Sequence, residues 1–426
     1  MSQTAPHRRP AGPLHDLAIV GAGPAGATLA LAAARYGVSV LLVDGRPGPG
    51  SGLGAEAKAG APARRDTRNF AIVRGSWRML ERLGVAEALK ARAEPLLGLE
   101  AQDGSGHLTG DPVALFGTDD LKPDAAGIPL GYMVEAEPLQ AALDAAVAAA
   151  PRIETIRPGR FAGYRAGRGG AELVLEDGSV HRARLVAGCD GVNSPVRAAA
   201  GIGTEGRDYG KSVFAANVRL SRPHRGIARQ VFTPEGPFAT LPLAGDRANL
   251  AWYMKGGAAE ALAARPVADM EAELNGRFAG FAGEMAIDGP VLAYPLKLVI
   301  ARDMVAERVA LVGDAARRIN PLAGQGLNLG FKDVAALADV ISETVRAGLD
   351  PGGAVALERY RRWRRFDATA TALGIDAIDR VFSNDNTLLK GARSLALMAA
   401  ERFGPVRGVL TRQASADQAG LPALMR

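Results

Sequence analysis

A glycine fingerprint between an apolar strand and an Ala-rich helix constrains this chain more than any other feature. Leu17–Val20 reads as a short buried strand. Gly21-Ala22-Gly23-Pro24-Ala25-Gly26 follows at once, and residues 24–36 read as a helix stopped by Gly37. The spacing gives each glycine a task. Gly21 permits the tight turn, Gly23 lets a pyrophosphate approach the backbone, and Gly26 lets helix and strand pack closely. A second apolar strand, residues 38–43, ends in Asp44, where a carboxylate can accept ribose hydroxyls. This is the opening of a doubly wound α/β unit that binds a dinucleotide. Pro24, Ala25 and Arg46 join Gly21, Gly23, Gly26 and Asp44 as cofactor-binding candidates.

That fingerprint does not separate FAD from NAD, because both carry ADP. A distant segment does. Gly313-Asp314-Ala315-Ala316 follows the buried strand 309–312, and Pro321-Leu322-Ala323-Gly324-Gln325-Gly326-Leu327-Asn328 opens a long helix. Asp314 can accept a ribityl or ribose hydroxyl. Gly324 and Gly326 expose backbone N–H groups at a helix start, which suits the flavin edge that becomes negative on reduction. Gly313, Asp314, Pro321, Gly324, Gly326, Leu327 and Asn328 are therefore candidates for the flavin side of the site. The cofactor expected is FAD.

Bulk properties exclude other classes. A chain of 426 residues with 48% hydrophobic residues can bury a large core. A formal net charge of +6 with only 5% aromatic residues gives no reason to expect nucleic acid as a partner. The single cysteine, Cys189, cannot form an intrachain disulfide, which fits a reducing, cytoplasmic setting. Few, scattered histidines argue against a metal site. Arg8-Arg9 before an apolar stretch could imitate a targeting signal, but Gly21, Gly23, Pro24 and Gly26 explain that stretch better as strand, turn and helix.

The remaining pattern predicts four parts. Residues 1–15 read as a disordered tail. A discontinuous FAD-binding domain is expected over 16–94, 131–207 and 295–350. A substrate domain is expected over 95–130 and 208–294, where short alternating runs such as 212–220, 228–233, 239–242 and 248–254 read as antiparallel strands. Residues 351–426 read as a C-terminal helical region.

Asp190-Gly191-Val192-Asn193-Ser194-Pro195-Val196-Arg197 resembles the second fingerprint of the class A flavoprotein aromatic hydroxylases, held in that family to touch FAD and the pyridine nucleotide. Asp190 and Gly191 become cofactor candidates on that ground. Asp66-Thr67-Arg68 looks like the stretch whose arginine, here Arg68, reaches the FAD pyrophosphate. Within the superfamily the chain resembles the ubiquinone-biosynthesis hydroxylases through residues 131–135, 236–243, 321–330 and 382–386. The resemblance implies an α/β (α+β insert) fold class: a Rossmann-like FAD-binding domain of the para-hydroxybenzoate-hydroxylase type with an inserted antiparallel-sheet substrate domain. It also implies a monooxygenase that uses NAD(P)H and O2 through a C4a-hydroperoxyflavin to hydroxylate the ring of a polyprenylated phenol.

The flavin carries that chemistry, so no side chain is nominated as catalytic. Relatives often have His where this chain has Arg317. Phe238, Leu241, Pro242 and Trp252 are candidate substrate-lining residues, with sheet core as the competing assignment. Basic residues among leucines over 388–412 suggest a surface facing the inner membrane or a quinone-biosynthesis complex, with packing against the FAD domain as the alternative. A hydroxylase of a soluble aromatic or secondary metabolite, and a non-catalytic flavoprotein scaffold, are the rival functions.

Overall fold

The computed structural model describes residues 12–47, 66–103, 113–118, 128–233, 235–319, 325–365 and 420–426. Its first layer is a sheet whose parallel core comes from strands far apart in sequence. Leu14–Val20 lies between Val40–Val43 and Val180–Gly188, and Val309–Leu311 pairs with the far side of Val180–Gly188. Leu17, Ile19, Val40, Leu41, Leu42 and Leu185 have no exposed surface. Such continuous apolar runs are what a parallel sheet covered on both faces requires.

Register decides where the motifs meet. Val20 pairs with Val43 on one side and Gly188 on the other, and Gly188 pairs with Leu311. The segments that follow these residues therefore leave the sheet along one carboxyl edge. They are Gly21–Gly26, Asp44–Arg46, Asp190–Gly191 and Gly313–Asp314. Ligands of open α/β sheets bind at such an edge. The helices Pro24–Arg35 and Gln325–Arg346 pack against each other above it.

The second layer is a nine-stranded sheet built around Thr204–Leu220, with Leu292–Ala301 on one side and Arg247–Lys255, Gly236–Leu243 and Ile227–Thr233 on the other. Gly98–Asp103 and Val113–Gly117 extend it. The expected domain boundaries at 207/208 and 294/295 fall inside strands Thr204–Leu220 and Leu292–Ala301. These strands run on through the junction, so no linker separates the two parts there.

Helix Val267–Ala282 lies in a region expected to be strands. Gly276 and Gly280 weaken its helical signature, yet Met270, Leu274 and Phe278 recur every four residues and form its buried face. Those side chains pack on Phe214, Val218, Phe238, Leu250 and Trp252. The opposite sheet face carries Val213 and Tyr253, which pack with Ile319 and Leu329 of the flavin-side segment. Of the C-terminal region only residues 351–365 and 420–426 are described, so the basic, leucine-rich stretch 388–412 and the 382–386 motif lie outside the described residues. No helix among the described residues is long and apolar enough to cross a membrane.

Candidate active site

The carboxyl edge of the first sheet and the inner face of the second enclose a cavity of about 910 Å³. One end is lined by Gly21, Gly23, Pro24, Asp44 and Arg46, the other by Asn249, Leu292, Tyr294, Arg318 and Leu327. The glycines in these walls are small for different reasons. Gly21 has φ +99°, and a Cβ there would collide with the Cys189 carbonyl. A Cβ on Gly26 would overlap the Gly21 carbonyl. Gly23 and Gly326 have no protein atom within 4 Å of a Cβ position, and both line the cavity. Their bareness serves the cavity, while that of Gly21 and Gly26 serves the fold.

At the first end Asp44 is nearly saturated by the protein. Its Oδ2 accepts from the Ala22 N–H at 2.5 Å and Arg46 Nη2 at 2.8 Å, and its Oδ1 accepts from Arg46 N at 2.8 Å and Nε at 2.9 Å. Burial pushes the carboxyl up, but the Arg46 hydrogen bonds and charge and the Ala22 amide outweigh it. The pKa lies below the usual carboxylate range. A ribose hydroxyl reaches this carboxylate only by displacing part of Arg46. Gln140, which sequence reasoning missed, ties the turn down by donating to the Ala22 carbonyl at 2.9 Å. Helix Pro24–Arg35 has no acidic residue in its first turn, so its N-terminal partial charge is left for an anion.

Arg68 stands between the two ends. It is held by Asp66 at 2.6 Å and interacts electrostatically with Arg46 on one side and with Asp314 and Tyr294 on the other. Asp190 braces the neighbouring turn: it accepts from Ser194 Oγ at 2.5 Å and from Val196 N at 2.9 Å, and its pKa is raised by burial. Arg197 then bridges the carbonyls of Val192 and Ala315, at 2.8 and 2.9 Å, and so joins the second fingerprint to the Gly313 turn. Cys189 lines the cavity beside it, with its thiol pKa pushed up by burial, which disfavours a reactive thiolate.

At the far end Gly313 adopts φ +65° and turns Asp314 toward the cavity. Burial raises the Asp314 pKa, and Arg68, Arg318 and Arg317 only partly offset it. Arg318 lines the cavity; Arg317 does not. Arg317 is turned behind the loop onto the fully buried Asp333, at 2.5 and 2.6 Å, where Arg364 also binds at 2.7 Å. Asp333 in turn accepts from the Gly313 N–H at 3.0 Å. Arg317 therefore helps to brace the Gly313 turn through Asp333, and the neighbouring Arg318 is a cation that faces the cavity.

Several expectations need correction. Asn328 does not line the cavity: its amide accepts from Val73 N at 3.0 Å and donates to Ala71 O at 2.7 Å, stitching the long helix to strand Asn69–Val73. Phe238 and Trp252 are fully buried against Phe278, on the sheet face turned away from the cavity, and Pro242 shares their side by strand alternation. Only Leu241 of that set lies on the inner side, packed with Ala71, Met133 and Leu243. Gly326 and Leu327 line the cavity, while Pro321 and Gly324 lie outside the described residues. Asn69, Asn249, Tyr294 and Arg318 line the cavity without having been singled out from sequence. Strand alternation was the available signal, since Asn249 and Trp252 sit three apart and so on opposite faces.

Comparison with known proteins adds lineage to this geometry. The FAD binding domain family matches residues 15–371. The ubiquinone hydroxylase UbiL of Rhodospirillum rubrum is 38% identical over 97% of this chain and 92% of its own length. The 3-demethoxyubiquinol 3-hydroxylase of Escherichia coli is 36% identical over 95% of this chain and 98% of its own. Among solved structures, p-nitrophenol 4-monooxygenase of Pseudomonas putida superposes with a TM-score of 0.75 at 18% identity, covering 94% of this chain and 97% of its own, which establishes the shared fold.

Proposed function

We propose a function from the premise that this chain belongs to the FAD binding domain family and, within it, to the ubiquinone hydroxylases. It is an FAD-dependent monooxygenase that uses NAD(P)H and O2 to hydroxylate the ring of a ubiquinone precursor. In our reading the precursor is a polyprenylated phenol. The observation that carries the reading is the near full-length match to two ubiquinone hydroxylases, on a cavity that runs from a dinucleotide turn to a mixed polar and apolar sheet face.

The residues fit FAD. Gly23 and Gly326 leave bare backbone facing the cavity. Asp44 and Arg46 would take the ADP ribose, Arg68 and the N-terminus of helix Pro24–Arg35 the pyrophosphate, and Asp314 a ribityl hydroxyl. Gly326 and Leu327, at the start of the long helix, would face the flavin ring. When bound, FAD supplies transfer of one oxygen atom from O2 to an electron-rich ring, with NAD(P)H as reductant.

The chain's own part is positioning and charge. The guanidinium of Arg318, which lines the cavity, favours the ionised form of a phenol at the ring end and so eases loss of its proton. Tyr294 lines the same end with its pKa raised by burial, partly offset by Arg318 and Arg68, and remains a neutral hydroxyl that can donate to a ring oxygen. The inner sheet face and the long helix wall one side of the cavity, where they would shield the reacting ring from water. Arg317 takes no proton, being buried on Asp333. A prenyl tail resides in the bilayer, so the reading includes contact with the membrane surface or with a quinone-biosynthesis complex. Exposed Val355, 83% accessible, lies beside Arg359 and Arg362 and suits such a contact.

Mass spectrometry of quinone intermediates in a deletion strain tests the reading. Accumulation of a prenylated phenol with loss of the quinone is expected. Normal quinone with loss of another aromatic product would support a soluble substrate instead.

A further inference from the structure

Three asparagines from three separate strands meet at the ring end of the cavity. Asn217 and Asn249 are direct cross-strand partners in the nine-stranded sheet, and both point to its inner face. Asn69 reaches them from the strand that follows Arg68. Asn217 Oδ1 accepts from Asn69 Nδ2 at 2.7 Å and from Asn249 Nδ2 at 3.2 Å. Asn69 Nδ2 also donates to the Thr67 carbonyl at 3.1 Å.

The cluster is out of keeping with its surroundings. The same sheet face otherwise presents Val213, Ala215, Ala251 and Tyr253. Leu241 pairs in register with Asn249 and belongs to a small apolar group with Ala71, Met133 and Leu243. Amides in such a face are costly unless their hydrogen-bonding capacity is used. That capacity is not used up: Asn69 Oδ1 is buried and accepts no hydrogen bond. Asn69 and Asn249 both line the cavity. The Asn69 and Asn249 amide N–H groups are already committed to Thr67, Ala216 and Asn217, so the arrangement offers one unused carbonyl acceptor beside a cavity wall, with an apolar shelf next to it.

We propose that Asn69, Asn217 and Asn249 form a subsite for an oxygen substituent of the aromatic ring. The Asn69 carbonyl accepts from a ring hydroxyl, Asn249 borders the same oxygen, and Asn217 holds both amides in place. This rests on the functional reading above and deepens it, because it assigns the residues that tell a phenol from a plain arene. A site built to hydrogen-bond a hydroxyl rejects the analogue that lacks it, since its own buried groups are then left unpaired. A flavin N–H is the competing donor for the same acceptor, and the test separates the two.

The experiment titrates the FAD-loaded enzyme with 2-prenylphenol and with prenylbenzene, following the flavin absorbance. Wild type, Asn217→Ala and Asn249→Ala are compared, each with its FAD content and melting temperature. Asn249, at the cavity edge with the longer contact, is the variant more tolerant of truncation, and it carries the test if Asn217→Ala folds poorly. The expected result is FAD retained, prenylphenol binding weakened about tenfold, and prenylbenzene binding unchanged, as loss of a hydroxyl-specific hydrogen bond requires. Equal weakening of both ligands, or of neither, overturns the proposal. So does loss of FAD without a difference between the ligands, which would assign the amides to the flavin. A wild type that answers neither ligand contradicts the functional reading itself, and the subsite with it.

Discussion

The two ends of the cavity treat a carboxylate in opposite ways. Asp44 is held below its ordinary pKa because Arg46 and the Ala22 amide outweigh its burial. Asp314 is pushed above its own, because burial outweighs Arg68, Arg318 and Arg317. Around Asp44 most of the polar partners come from one strand–helix–strand unit, Ala22 to Arg46, and satisfy one another. The ring end is made by residues far apart in sequence, and its charges face the cavity. The Asp44 end is thus set largely within one strand–helix–strand unit, while the Asp314 end is assembled by tertiary folding.

The largest expected effect comes from the brace behind the ring end. Asp333→Ala leaves Arg317 and Arg364 buried without their carboxylate and should cost about 3–5 kcal/mol, read from urea unfolding. An effect below about 1 kcal/mol, the range of exposed pairs, would show that the cluster is not the support described.

The glycines divide next. Gly21→Ala should lose both stability and FAD, because a left-handed backbone adds about 1–2 kcal/mol to the collision with Cys189. Gly23→Ala should keep the wild-type melting temperature and bind FAD about tenfold more weakly, since only the ligand needs that space. Equal melting losses in both would erase the distinction.

A smaller effect separates the two carboxylates by pH. The depressed native pKa of Asp44 gives stability that is present above its unfolded value of about 3.9 and lost as pH falls through the native one. Asp44→Asn should remove that acid-limb loss. Asp314 has the opposite sign, so Asp314→Asn should stabilise the FAD-free protein near neutrality, with a gain that shrinks as pH falls through the raised native value. Parallel pH profiles for the two variants would contradict the contrast.

Trp252→Phe should matter least to the site, with FAD affinity and turnover within about twofold, while stability falls by about 1–3 kcal/mol for the cavity the smaller ring leaves. A large loss of substrate affinity would return Trp252 to the cavity wall.

The sequence exposed the Gly21–Gly26 turn and Asp44 beside it, because these residues act through local turn geometry, but not Gln140, which reaches the turn from a distant helix. It also exposed the Gly313–Asp314 turn and the helix start at Gly326 and Leu327. The ring end was less legible for two physical reasons. Asn69, Asn249, Tyr294 and Arg318 come from four strands whose pairing sets their meeting, and no spacing records it. Aromatic size also pointed toward Phe238 and Trp252, whereas the period of a strand puts them on the outer face with Phe278. Arg317 and Arg318 are adjacent, so alternation turns one to Asp333 and the other to the cavity, and only the fold says which.

The most direct test of the central claim is turnover of a prenylated phenol by the purified, FAD-loaded enzyme under isotopically heavy O2. The account predicts phenol-stimulated NAD(P)H oxidation and a hydroxylated ring carrying one heavy oxygen atom. A hydroxylated product with oxygen from water, or no product while NAD(P)H is consumed equally with and without the phenol, would contradict it.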